Sequence, residues 1–138
     1  MRLIYVCVLV WLVTACTAAA KPSLYQQLGG EVAITKLVDG LLVKIEHDPR
    51  IVHHFKDTDI ARFRSKLIEQ LCHISDGPCQ YTGSTMQESH TGFQITAADF
   101  DRLVQHLIDV MTELHIPLDA QNELLARLAP MYKDVTYR

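Results

Sequence analysis

His90 is the residue in this chain best placed to do chemistry. Met86 precedes it by four positions, so the two side chains share one face of any helix there. Gly92 allows a sharp turn just beyond, and Ile95 brings an apolar side chain back toward the same surface. A lone imidazole on a short helix, backed by Met and Ile, suits an axial ligand for a flat apolar cofactor. The competing reading is a partly exposed surface histidine, since histidine commonly sits at intermediate burial. His53 and His54, farther back, read as polar residues on a surface turn.

The cysteines are the second chemical set. The chain has four, Cys7, Cys16, Cys72 and Cys79. Met1-Arg2 is followed by an uninterrupted apolar run over residues 3–13, too short for a comfortable membrane span and ordered like a signal peptide. The run ends at Val13-Thr14-Ala15-Cys16, which resembles the lipobox of bacterial lipoproteins. On that reading 1–15 is removed, Cys16 is lipidated and becomes the N-terminus, and 16–22 is a tether on the periplasmic face of a membrane. The alternative is an ordinary signal peptide cut near positions 18–20. Either way Cys72 and Cys79 remain as a pair in an exported protein, which reads as a disulfide. A zinc set of Cys72, His73, Cys79 and His90 competes with it, but the spacing matches no standard finger. No C-x-x-C-H occurs, which argues against a covalently attached haem.

The elements that must position these residues are helical. A turn at 23–28 stops at Gly29-Gly30, and then Ile34, Leu37, Val38, Leu41, Leu42 and Ile45 recur at helical spacing up to Asp48-Pro49. Gly40 inside that helix points to a close helix crossing. A second helix starts at Asp59 with the stripe Phe63, Leu67, Leu71, Ile74; Arg62, Lys66, Glu69 and Gln70 make its polar side. Thr96 and Asp99 open a third. The last runs past Leu124 to Val135, with a kink expected at Pro130. No segment alternates at period two. With 138 residues and a net charge of −3 from 13 basic and 16 acidic side chains, this is one all-α domain with no nucleic-acid footprint.

The domain spans 23–138, and from about Ser23 to Val135 it resembles a group I truncated haemoglobin. The resemblance rests on Leu24-Tyr25 with Leu28-Gly29-Gly30, Asp48-Pro49-Arg50, Phe55, and Gly77-Pro78 with Tyr81-Thr82-Gly83. It continues through Met86, His90 and Gly92, Ile95-Thr96 with Asp99-Phe100, and Leu128-Ala129-Pro130. It implies a two-over-two helical sandwich around haem b, with His90 on the iron and Phe55 wedged against the cofactor. It also places Lys66 near a propionate. Many members of that family carry a tyrosine on the first long helix and a glutamine on the second, as donors to oxygen. Here those positions hold Leu42 and Leu67, with Phe63 one turn earlier.

The function implied is reversible binding of a diatomic gas (oxygen, NO or CO) at a pentacoordinate iron with an apolar gas side, served by an unidentified reductase. The alternatives are a haem redox enzyme, either a nitric oxide dioxygenase or peroxidase-like, and a haem-free helical module. Peroxidase chemistry wants a base and an acid beside the substrate, and the implied pocket offers none unless His53 or His54 turns inward.

Overall fold

The computed structural model describes residues 20–138; the expected signal segment, Cys7 and Cys16 lie outside them. Every regular element among the described residues is helical: α1 (Leu24–Leu28), α2 (Gly30–Glu46), α3 (Ile60–Ile74), α4 (Met86–His90), α5 (Ala97–Glu113), α6 (Leu118–Leu128) and α7 (Tyr132–Val135). Two 3-10 turns, at Val52–Phe55 and Ala129–Met131, join them. The helix expected to run to Val135 therefore breaks into three pieces. Pro130 has no N–H to continue the ladder, and the chain tightens around it before α7 begins. Together the helices form the two-over-two sandwich.

The start signals are local and physical. Ser23, Thr85 and Thr96 each close a capping box with Gln26, Glu88 and Asp99, satisfying otherwise orphaned N–H groups at the starts of α1, α4 and α5. Asp59 caps α3 through the Arg62 N–H. The buried face of α2 (Ile34, Leu37, Val38, Leu41, Ile45) then packs against α3 and α5, while α1 packs on α6 and α4 on α7. No helix among the described residues is long and apolar enough to cross a membrane.

Gly40 is where α2 meets α5. A Cβ there would stand 2.6 Å from Val110 Cγ1, inside any tolerable contact, and Val110 is itself buried. Gly40→Ala should therefore destabilise the fold by about 1–3 kcal/mol through overpacking, more than the helix propensity of alanine returns. Urea unfolding of the two proteins side by side measures it.

A buried ion cluster pins the far end of α2 to the same helix. The Asp48 carboxylate, 4% exposed, accepts from the Arg102 guanidinium, from the Arg50 N–H at 3.0 Å and from His106 Nε2 at 2.8 Å. Arg102 first, then the Arg50 N–H and His106, hold the Asp48 carboxyl well below the usual carboxylate range. A depressed acid stabilises the fold above its unfolded pKa, about 3.9, and that stabilisation is lost as pH falls through the folded value. Asp48→Asn should lower Tm at neutral pH. Its deficit against wild type should shrink as the pH is taken below about 4, as thermal melts across that range will show.

Cys72 and Cys79 are joined as a disulfide, with Cα atoms 5.8 Å apart. This removes the thiolates that the zinc alternative requires. The bridge ties the C-terminal end of α3 to the loop leading to α4. For so short a loop, chain entropy contributes about 2–2.5 kcal/mol to stability.

Candidate functional site

His90 ends the five-residue helix α4 and is half-buried. Its Nδ1 lies 2.7 Å from the Met86 carbonyl oxygen. A carbonyl oxygen only accepts, so Nδ1 carries the proton and donates it. In the neutral ring Nε2 is then the unprotonated nitrogen, the form in which imidazole binds a metal. The Thr85–Glu88 capping box supplies local order to so short a helix, and the Thr85 N–H and hydroxyl hold the Glu88 carboxyl below its ordinary range. Beyond the helix, Gly92 takes φ +91°, a conformation that side chains rarely adopt, and the chain turns away.

The ring lines a cavity of about 490 Å³ walled by α2, α3, the Val52–Phe55 turn, α4, α5 and the C-terminal residues. Of the residues read from sequence as contacting a cofactor, Phe55, Phe63, Lys66, Leu67, Met86, His90 and Ile95 all border it. Phe55 and Phe63 form an aromatic corner, ring centroids 5.4 Å apart. Leu42 does not border the cavity; Leu41 does. Successive residues are rotated about 100° around a helix. The buried stripe of α2 passes through Leu41, leaving Leu42 half-buried against the core beside it.

The structure also corrects the polar side expected for α3. Arg62 and Gln70 join Lys66 on the cavity wall, and Gln70 is buried at 9% exposure. Its Nε2 donates to Met86 Sδ at 3.3 Å and Met131 Sδ at 3.6 Å. Lys66 Nζ donates to both Glu69 oxygens at 2.9 Å and to Thr82 Oγ1 at 2.6 Å. Lys66, followed by Thr82, lowers the Glu69 carboxyl pKa.

His53 and His54 part company. His53 is exposed, whereas the His54 side chain is 12% exposed, borders the cavity and brings Nε2 to 3.2 Å from the Asp99 carboxylate. The two rings lie against each other, centroids 4.0 Å apart, with His53 on the solvent side and His54 on the cavity side. Asp99 is held below the usual carboxylate range chiefly by the Thr96 N–H and hydroxyl, with His54 adding less.

The donor set fits an iron that arrives inside its own macrocycle. Among the described residues no group of three or more His, Cys, Asp or Glu side chains could hold a bare metal ion. What the cavity offers is one imidazole, broad apolar walls with two phenyl rings, and the cations Arg62 and Lys66 for the acidic edge groups of such a cofactor.

Residues 23–137 match the family model described as bacterial-like globin. The chain is similar to the group 1 truncated hemoglobin GlbN of Mycolicibacterium paratuberculosis, 29% identical over 117 residues, covering 85% of this chain and 86% of that protein. It is also similar to the protein of that name from a Nostoc species, 32% identical over 109 residues, covering 79% and 92%. Among solved structures, truncated hemoglobin from Tetrahymena pyriformis in its Fe(III) form superposes with a TM-score of 0.81 at 28% identity, over 85% of this chain and 100% of that one.

Proposed function

We propose that this chain, which belongs to the bacterial-like globin family and has haem b as its cofactor, is an exported gas-binding protein whose iron is held by His90. Binding of a diatomic gas is general to the family. The finer reading is ours: His90 as sole protein ligand, an apolar gas side, and oxygen, NO or CO as the ligand. The observation that carries it is the Nδ1 bond of His90 to the Met86 carbonyl, which in the neutral ring leaves Nε2 as the free nitrogen on a ring bordering the cavity.

Haem b, held through His90, would supply an iron able to bind a diatomic gas. The chain's own side chains set the terms of that binding. Phe55 and Phe63 offer flat apolar contact, and Leu41, Phe63 and Leu67 present apolar side chains to the cavity. Lys66 and Arg62 offer charge to the propionates. Lys66 is shared with Glu69 and Thr82, so that contact competes with an existing network.

For residues 1–22, export with lipidation of Cys16 is supported by the charge-then-apolar order and the small residues before the cysteine. Intact mass of the membrane-extracted protein tests it. A diacylated chain starting at Cys16 is expected; an unacylated start at Ala19 or Ala20 overturns it.

A second reading, a haem redox enzyme, is favoured by one observation: His54 borders the cavity, and its buried Nε2 lies near the Asp99 carboxylate without forming a hydrogen bond. Absorption spectra of the reduced protein with and without oxygen, CO and NO test the main reading. A gas-free spectrum typical of one axial imidazole, shifting on addition of CO, is expected. Failure of the protein to take up haem overturns both readings. Sustained peroxide turnover that is lost in His54→Ala favours the second.

A further inference from the structure

Gln70 is a buried amide that gas binding alone does not explain. It sits on α3, three residues after Leu67 and seven after Phe63, on the wall of the cavity. Its N–H groups point to two thioether sulfurs, Met86 at 3.3 Å and Met131 at 3.6 Å. Thioethers are weak acceptors, so an apolar side chain here would cost little for solvation alone.

Met86 carries two bonds at once. Its sulfur accepts from Gln70, and its carbonyl accepts the ring proton of His90. α4 otherwise packs only on α7 among its main helix contacts: Gln87, Glu88 and Ser89 are exposed, and Met86 and His90 are half-buried. A helix of five residues is not stable by itself, so its position depends on what grips it. Met131, the other sulfur, immediately precedes α7, on which α4 packs. Gln70 thus joins α3, α4 and the C-terminal segment at one point.

We infer that Gln70 is a positioning residue that sets the placement of His90 from α3, acting through the side chain of Met86. This deepens the gas-binding reading and rests on its assignment of His90. It also links the wall carrying Phe63 and Leu67 to the helix that holds the ligand. A change in how that wall is packed would alter the grip on the imidazole.

The test uses reconstituted full-length protein and two readouts. One is the iron–imidazole stretching band in the resonance Raman spectrum of the gas-free ferrous protein. The other is the rate of haem transfer to excess apomyoglobin. Gln70→Leu keeps the volume and removes the donor; Met86→Leu removes the sulfur and keeps the carbonyl. Each should shift or broaden the band and speed haem loss by roughly fivefold, as one weak hydrogen bond implies. Because the two changes break the same link, the double variant should lose little more than either single one. If Gln70→Leu fails to fold, Met86→Leu against wild type carries the same test. A normal band and normal haem loss in the variants overturn the inference while leaving the gas-binding reading standing. A normal band with oxygen release altered about tenfold would overturn it too, assigning Gln70 to the gas instead. Wild type that takes up no haem removes the gas-binding reading and this inference together.

Discussion

His90→Ala is expected to lose haem. Partners that merely orient a metal-bound histidine are worth about 10- to 100-fold in affinity, so removal of the ligand itself should cost about 100-fold or more. The variant should fold, since His90 is half-buried at the end of a short helix and lies outside the core cluster. Circular dichroism establishes that, and haem titration measures the loss. His115→Ala is the clean control, because His115 is exposed at the end of α5. His106→Ala should also keep haem yet melt earlier, since its ring serves Asp48 and not the cavity. Added imidazole should restore the bound spectrum of the His90 variant. Unchanged haem retention without His90 would sink the assignment.

Leu67→Gln should slow oxygen release by roughly one to two decades, the equivalent of about 1.5–3 kcal/mol for a hydrogen bond to a charge-bearing acceptor. Leu67 is half-buried on the cavity wall one turn after Phe63, so an amide of similar volume there can reach into the gas space. CO accepts a hydrogen bond weakly, and its release should change much less. Stopped-flow dissociation of both gases from wild type and variant decides it. Wild type that already releases oxygen slowly would mean that Gln70 or His54 reaches the gas, and the apolar reading of that side would be wrong.

Much of the molecule is settled by interactions within a few residues, and that much is legible in the chain. Apolar recurrence at three and four positions marks α2, α3 and α5. The capping residues Ser23, Thr85 and Thr96 place starts to the residue. The key feature of the ligand helix is equally local: His90 reaches the carbonyl four residues back, one helical turn away. Even the disulfide spans only seven positions.

What the tertiary structure decided is which of several equivalent side chains faces the cavity. Gln70 belongs to the polar side of α3 by periodicity and is buried nonetheless, because α4 and the C-terminal segment cover that side with Met86 and Met131. Leu41 and Leu42 are both apolar neighbours on α2, and only the packing of α3 and α5 selects the first. His54 turns inward toward Asp99, 45 positions along the chain, while His53 does not. Asp48 finds Arg102 and His106 across separations of 54 and 58 residues. A pattern in sequence records that a face is apolar or polar within about one turn of helix. Which distant element covers that face depends on how the whole chain closes around the cavity.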